Sequence, residues 1–275
     1  MYKIGILGCG KMAQAMLDCW LTRAALPRDQ VIACTSRADS AAQVAQRFQI
    51  AAICDPASLV QQCEIVLLGI KPQQMLDVLP RVAFHLRPQQ WIVSLLAAKT
   101  IEQIQEFLPP HQPVTRCMPN TPVRIGLGVL GVVHSLQVTP AQRHELQMLL
   151  QVLGLYVPLD ETQMDAFTAI AGSGPAYQLL FIEALTQAAE NLGFDHQTAL
   201  TLAVHTAHGT TALAAGDDRE PAVLRAEVTS KGGMTAAAIA AFERADWRHT
   251  VTTAARAAVA RAEEIAQPSA PQATL

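Results

Sequence analysis

The 275-residue sequence has few charged residues, and neither sign of charge dominates. Lys, Arg, Asp and Glu together make up 16% of the chain, and the formal net charge is −3. This excludes the broad basic surface that binding to a phosphate backbone requires, so we predict no nucleic-acid partner. The mean hydropathy is +0.22, yet no stretch reaches the run of about 18 apolar residues that a membrane span needs. We expect the apolar surplus to serve a subunit interface.

Cysteine is absent from the second half of the chain. All six cysteines lie between Cys9 and Cys117, with no CxxC pair and no histidines at zinc-ligand spacing. His205 and His208 share a helix face, but no acidic partner completes a metal site. We therefore expect reduced thiols, no bound metal and a cytoplasmic location. The first residues, MYKIGILGCG, also lack the apolar stretch of an export signal.

Short apolar runs alternate with helical patterns up to about residue 159. Eight such runs are present: KIGILG, VIACTS, IAAIC, EIVLLGI, WIVSLL, VTRCM, GVLGVV and GLYVPL. This alternation is typical of an α/β doubly wound, mainly parallel sheet. After about residue 160 only helical patterns remain. We predict a first domain over residues 1–160, an all-α domain over 161–266 and a disordered tail over 267–275.

The first strand is followed by a glycine-rich turn that opens a helix. In a Rossmann-type domain, a GxGxxG/A sequence in this context binds the pyrophosphate of a dinucleotide. Gly8 permits the tight turn, Gly10 lets the backbone approach the ligand, and the small Ala13 allows close helix–strand packing. The predicted contact residues are Gly8, Cys9, Gly10, Lys11, Met12 and Ala13.

The end of the second strand carries no acidic residue, although an NAD site usually has one about 20 residues after the glycines. Thr35, Ser36 and Arg37 occupy this place. Hydroxyl and guanidinium groups suit a 2′-phosphate, so we predict NADPH, with Ser36 and Arg37 as its ligands. The nearby Asp39 leaves NADH possible. Further cofactor contacts are expected at later strand ends, from Ile70, Lys71, Pro72 and Ala97.

Two small-residue loops stand out in the helical half, AGSGPAY at residues 171–177 and VTSKGGMT at 228–235. Each leads into a helix N-terminus, whose free N–H groups can hold a carboxylate. Such a terminus matches a small acidic substrate, whereas each loop taken singly favours capping.

Five segments together resemble the pyrroline-5-carboxylate reductase family over essentially the whole chain. They are GCGKMA at residues 8–13, IKPQ at 70–73, MPNTPVRIGLG from 118, AGSGPAYQLLFIEAL from 171 and LRAEVTSKGGMTAAAI from 224. The pattern VTS-x-GG-x-T is close to the signature of the family. The chain departs from the usual family residues at Lys231, Met234, Pro56 and Ala98, the last of which is usually glycine.

The resemblance implies a Rossmann domain followed by a helical dimerisation domain, and NAD(P)H-dependent reduction of 1-pyrroline-5-carboxylate to L-proline, the last step of proline biosynthesis. It implies Thr235 as the catalytic hydroxyl, and a dimer or a decameric ring of dimers. The substrate-binding residues would be Asn120, Ser173, Ser230, Lys231, Gly232, Gly233 and Met234, with Asn120 also at the cofactor.

Two other functions fit the same pattern. A β-hydroxyacid oxidoreductase needs a catalytic lysine in the helical half, where only Lys231, in a glycine-rich loop, is present. A non-catalytic, regulatory NADPH-binding homologue would bind the cofactor without turnover.

Overall fold

The computed structural model describes residues 1–266 and contains one eight-stranded sheet. The strands are β1 Tyr2–Leu7, β2 Val31–Cys34, β3 Ala51–Ile53, β4 Cys63–Leu68, β5 Trp91–Ser94, β6 Val114–Met118, β7 Gly128–His134 and β8 Gly154–Pro158. Their order is β3-β2-β1-β4-β5-β6-β7-β8. The first six are parallel, whereas β7 runs antiparallel to β6 and β8 runs parallel to β7.

Helices connect the strands and form the second half of the described chain. The α-helices are α1 Lys11–Thr22, α2 Ala38–Phe48, α3 Pro56–Gln62, α4 Met75–Ala83, α5 Ile101–Gln105, α6 Pro140–Gln151, α7 Met164–Phe167, α8 Gly174–Asn191, α9 His196–Ala215, α10 Pro221–Glu227, α11 Met234–Arg244 and α12 Trp247–Ala266. Short 3₁₀ helices cover 28–30, 72–74, 121–125 and 161–163, and Thr168–Gly172 forms a π-helical turn. The predicted fold class is confirmed.

Local sequence signals account for several of the helix starts. Pro56 and Pro140 stand in the first turns of α3 and α6, where no N–H donor is needed. Asp55 caps α3 by accepting from two backbone N–H groups, and Thr139 caps α6 by accepting from the N–H of Gln142. These caps fix where the helices leave the sheet edge.

Apolar side chains cover both faces of the sheet, which explains why its central strands are nearly continuous apolar runs. One face packs on α1, α2 and α6, with Trp20, Met16 and Leu17 fully buried. The other packs on α3, α4 and α5, with Leu59 and Leu79 fully buried. The carboxyl ends of the parallel strands are thereby held on a rigid frame.

The contacts of the structure divide it into two compact units after Ser173, whereas the domain boundary predicted from the sequence lies at residue 160. Of the described residues, the first unit comprises 1–173 and 258–266, and the second comprises Gly174–Ala257. The segment after residue 160 stays with the sheet because Met164 is fully buried with Met118, and because Glu161 forms an ion pair with the buried Arg116. The predicted tail, 267–275, lies outside the described residues. None of the helices within residues 1–266 is long and apolar enough to cross a membrane.

A chain of hydrogen-bonded polar groups runs across β5, β6, β7 and β8. The indole N–H of Trp91 donates to the hydroxyl of Thr115 at 3.0 Å, and that hydroxyl lies 2.7 Å from Nδ1 of His134. The other ring nitrogen of His134 lies 2.9 Å from the hydroxyl of Tyr156. Burial, helped by the positive charge of Arg143, lowers the pKa of His134 to about 4. His134 is therefore neutral at pH 7.

This low pKa predicts an acid sensitivity of folding. Above its ordinary pKa of 6.5, His134 is neutral in both states; as the pH falls from 6.5 to about 4, only the unfolded chain gains the proton. We expect about 2 kcal/mol of unfolding free energy to be lost through this residue between pH 7 and pH 5. Urea unfolding of His134→Gln should show that much less pH dependence than wild type. The exposed His144→Gln is the control, and an equal pH dependence in all three proteins would contradict the assignment.

Candidate functional site

The turn between β1 and α1 has a conformation that requires glycine at residue 8. The φ of Gly8 is +91°, in the left-handed region, and a Cβ there would lie 2.6 Å from Cγ2 of Ile70. A Cβ on Gly69, at the end of β4, would lie 2.2 Å from the carbonyl oxygen of Gly8. The ends of these neighbouring strands therefore touch backbone to backbone, and both glycines are requirements of the fold.

Gly10 differs, because the fold leaves room beside it. It is the N-cap of α1 with φ −77°, and a Cβ there would meet only the carbonyl oxygen of Gly69, at 3.7 Å. It brings no side chain to cap the helix, so the first N–H groups of α1 stay free for an anion. Ala13 is 1% exposed and packs against the end of β4. No contact within residues 1–266 requires glycine at residue 10.

Replacing Gly8 and Gly10 by alanine should therefore have different effects. Gly10→Ala is expected to keep the wild-type melting temperature but to weaken NADPH binding by about tenfold or more, because a methyl group displaces the pyrophosphate from the N–H groups. Gly8→Ala is expected to lower the melting temperature itself. Calorimetric titration with NADPH and thermal unfolding of both variants check this. Unchanged NADPH affinity in a fully folded Gly10→Ala would refute the role of the loop.

Two residues that the sequence did not identify hold this loop in place. The side-chain amide of Gln14 donates to the carbonyl oxygen of Cys9 at 2.9 Å, and Arg47 of α2 donates to the amide oxygen of Gln14 at 3.1 Å. Burial raises the pKa of the Cys9 thiol to about 11, so this thiol stays protonated at pH 7. Cys9 thus offers the site its backbone rather than a reactive sulfur.

Ser36 and Arg37 lie exposed at the carboxyl end of β2, as expected for the 2′-phosphate end of a cofactor. Arg37 is the N-cap of α2, and its carbonyl oxygen accepts from the hydroxyl of Thr35 at 3.0 Å. Its guanidinium donates to the hydroxyl of Ser40 at 3.4 Å. Ser40, which the sequence did not single out, therefore faces the same place.

The predicted residues after β4 and β5 also lie at this edge. Lys71 is exposed and precedes the 3₁₀ turn that starts at Pro72, and Ile70 lies beside Gly8. Ala97 is partly buried. The next residue, Ala98, has φ +55°, a conformation that favours the glycine usual in the family.

Asn120 follows β6, and its side chain is almost fully buried, with 5% of the residue exposed. Its amide nitrogen donates to the carbonyl oxygen of Ala171 at 2.9 Å, and its amide oxygen accepts from the N–H of Val129 at 2.9 Å. Ser173 lies two residues after Ala171 and is partly buried. Both the nitrogen and the oxygen of the Asn120 side-chain amide thus bind main-chain groups. Direct binding of a ligand by this amide stays a prediction.

The remaining predicted residues form a tight turn at the start of α11 in the second unit. Gly232 has φ +75°, and the N–H of Gly233 donates to the carbonyl oxygen of Ser230 at 3.0 Å. A Cβ on Gly233 would lie 2.4 Å from the hydroxyl oxygen of Ser230, so a larger residue at this N-cap would require the exposed Ser230 side chain to turn away. It leaves the first N–H groups of α11 uncapped.

The side chains of this turn are open to solvent in the described chain. Met234 is 93% exposed, and Ser230, Lys231 and Thr235 are exposed as well. Thr235 lies in the first turn of α11, next to the uncapped N–H groups. The structure therefore brings the carboxylate-binding and hydroxyl-bearing residues of the prediction together.

The fold and the glycine turn define a dinucleotide-dependent oxidoreductase. Residues 3–98 match the family described as NADP oxidoreductase, coenzyme F420-dependent, and residues 161–265 match pyrroline-5-carboxylate reductase dimerisation. A pyrroline-5-carboxylate reductase of Pseudomonas aeruginosa is 37% identical over 266 residues, covering 96% of this chain and 97% of the relative. The chain therefore belongs to the pyrroline-5-carboxylate reductase family.

Other relatives and solved structures agree. A pyrroline-5-carboxylate reductase of Synechocystis is 31% identical, covering 96% of this chain and 98% of the relative. The reductase structure from Coxiella burnetii has a TM-score of 0.89 at 27% identity and covers 97% of this chain and 99% of that one. The Plasmodium falciparum reductase with NADP bound shares the fold, with a TM-score of 0.88 at 22% identity, over 97% of this chain and 98% of that one. The resemblance and the prediction of an oxidoreductase are confirmed.

Proposed function

We propose that this chain reduces 1-pyrroline-5-carboxylate to L-proline with NADPH, the final step of proline biosynthesis. The observation that carries the proposal is a pair of helix N-termini that glycine leaves uncapped, at Gly10 and at Gly233. Such a terminus binds anions through free N–H groups and the positive end of the helix dipole. The reaction has two anionic groups to hold, the pyrophosphate of the cofactor and the carboxylate of the substrate.

The residues of the first unit are suited to hold the cofactor. The turn at residues 8–13 and the start of α1 receive the pyrophosphate, while Ser36 and Arg37 receive the 2′-phosphate, which NADH lacks. Ile70, Lys71, Pro72 and Ala97 line the strand ends where the nicotinamide half is expected. When bound, the dihydronicotinamide supplies the hydride that reduces the C=N carbon.

The turn at the start of α11 is suited to hold the substrate. The N–H groups of its first turn donate to the carboxylate oxygens, and Ser230 and Lys231 lie beside them. The hydroxyl of Thr235 orients the ring nitrogen: its oxygen accepts from the N–H of the protonated imine, and its O–H donates to the nitrogen lone pair of the amine product. A threonine hydroxyl is a weak acid, so the proton on nitrogen comes from solvent or is already present when the imine binds.

We further propose that the chain works as a homo-oligomer in the cytoplasm, as a dimer or as a decameric ring of dimers. The second unit exposes many large apolar side chains, which a second copy would bury. They include Leu179, Leu180, Leu200, Leu202, Val204, Leu213, Phe242 and Val251. The six cysteines are all unpaired, as suits a reducing compartment.

The test is the oxidation of NADPH, followed at 340 nm with 1-pyrroline-5-carboxylate and compared with NADH. Turnover with L-proline as product supports the proposal, and faster turnover with NADPH supports the assignment of Arg37. Tight NADPH binding without turnover would instead identify a regulatory homologue. Turnover of a six-membered cyclic imine in preference to the five-membered one would assign another imine reductase activity.

A further inference from the structure

Asn120 joins three separate segments through one buried carboxamide. It lies two residues after the end of β6, its nitrogen donates to Ala171 in the π-helical turn, and its oxygen accepts from Val129 in β7. Both hydrogen bonds measure 2.9 Å. A buried amide with both its nitrogen and its oxygen engaged holds its partners in place, because breaking either hydrogen bond would leave a buried polar group unpaired.

The carbonyl group of Ala171 has no donor at the regular α-helical position. In a regular helix, this oxygen would accept from the N–H four residues on, but that residue is Pro175, which has none. The π-helical turn also shifts the hydrogen-bond register, since the N–H of Ser173 donates to Thr168, five residues back. The amide nitrogen of Asn120 replaces the missing helical donor.

The N–H of Val129 likewise has no carbonyl partner from the β6–β7 pairing. The ladder between β6 and β7 ends at the pair Met118 and Gly131, so Val129 lies beyond the last paired residue. The amide oxygen of Asn120 takes the place of the next strand carbonyl and extends the contact between β6 and β7. Asn120 thereby ties the π-helical turn to the end of the sheet.

We propose that Asn120 is a positioning residue for the reaction. It sets the segment Ala171–Ser173, which ends in the predicted substrate ligand Ser173, against the carboxyl end of β6. This inference rests on the proposed function for its link to catalysis. This geometry requires a carboxamide, which offers one donor and one acceptor. An aspartate would keep the acceptor for Val129 but would place a second oxygen against the carbonyl oxygen of Ala171, where a donor is needed.

The test compares Asn120→Asp with a matched control, Ser135→Ala. The hydroxyl of Ser135 is also buried and also binds backbone between β6 and β7, accepting from the N–H of Val114 at 3.1 Å, but at the opposite end of the strands. Both variants are expected to lose stability. Only Asn120→Asp should lower kcat by about tenfold or more and raise the KM for 1-pyrroline-5-carboxylate, with NADPH affinity within about threefold of wild type.

Hydrogen exchange tests whether Asn120 holds these segments in place, independently of its effect on the reaction. In the absence of ligands, Asn120→Asp should exchange faster than wild type over residues 168–173 and at Val129, whereas Ser135→Ala should not. If exchange in these segments is unchanged, Asn120 does not hold them in place. Faster exchange with wild-type kcat and KM overturns the positioning role. A wild-type protein that does not turn over the substrate counts against the proposed function. The exchange result then still decides whether Asn120 holds these segments in place.

Discussion

Thr235→Val is expected to lower kcat for 1-pyrroline-5-carboxylate by roughly 100-fold while NADPH binds as in wild type. Valine keeps the shape and the branched Cβ of threonine and removes only the hydroxyl. Because Thr235 is exposed and its hydroxyl has no described partner within residues 1–266, the substitution removes no contact that holds α11 in place. Steady-state kinetics and calorimetric titration with NADPH measure the two effects separately.

Two further variants sharpen this experiment. Thr235→Ser keeps the hydroxyl and should recover most of the activity. Thr211→Val removes a hydroxyl from α9 in the same unit, where it donates to the carbonyl oxygen of Ala207 at 2.9 Å, and should leave kcat unchanged. If Thr235→Val retains full activity, the hydroxyl neither orients nor stabilises the ring nitrogen, and the carboxylate contacts alone position the substrate.

Arg37→Gln is expected to raise the KM for NADPH by about 10- to 100-fold and to leave the KM for NADH almost unchanged. The guanidinium is exposed and is tied within its own unit by one contact of 3.4 Å to Ser40, so the fold loses little when it is replaced. The loss for NADPH comes from charge-assisted hydrogen bonds to the 2′-phosphate, a group that NADH lacks. Initial rates with both cofactors measure the change in preference.

The control removes a positive charge from the same unit without touching the predicted phosphate site. Arg28 donates to the carbonyl oxygen of Phe48 at 3.2 Å and lies just before β2, so Arg28→Gln should leave both KM values as they are. If Arg28→Gln and Arg37→Gln raise the KM for NADPH equally, the effect comes from the loss of a positive charge anywhere on this unit and not from a contact with the 2′-phosphate. If neither does, Lys11 or Lys71 becomes the better candidate for the 2′-phosphate.

Local patterns predicted most of the fold. All eight strands coincide with apolar runs visible in the sequence, and the prolines at residues 56 and 140 begin helices as expected. The glycine turn was predictable for the same reason, because the conformation of Gly8 and the start of α1 depend on neighbours within a few residues. Each of these features is encoded over a short stretch of chain.

The contacts that hold the candidate site in place were not predictable in this way. Asn120 and Ala171 are 51 residues apart, and the amide contact between them depends on how the π-helical turn meets the end of β6. Gln14 reaches back to Cys9 only because α1 starts at Lys11, and nothing marks this glutamine among the polar residues of an amphipathic helix. The division of the structure after Ser173 was not predictable either, because the burial of Met164 beside Met118 is a property of packing.

The helices that carry the substrate turn have little to hold them within their own unit. In α10 and α11, as described, no residue is fully buried, although both contain several apolar side chains. Short helices without a buried face are marginal in water, so they owe their order to whatever covers them. If a second copy does so, dilution should loosen the turn that carries Thr235 before it unfolds the sheet, and specific activity would report protein concentration as well as catalytic competence.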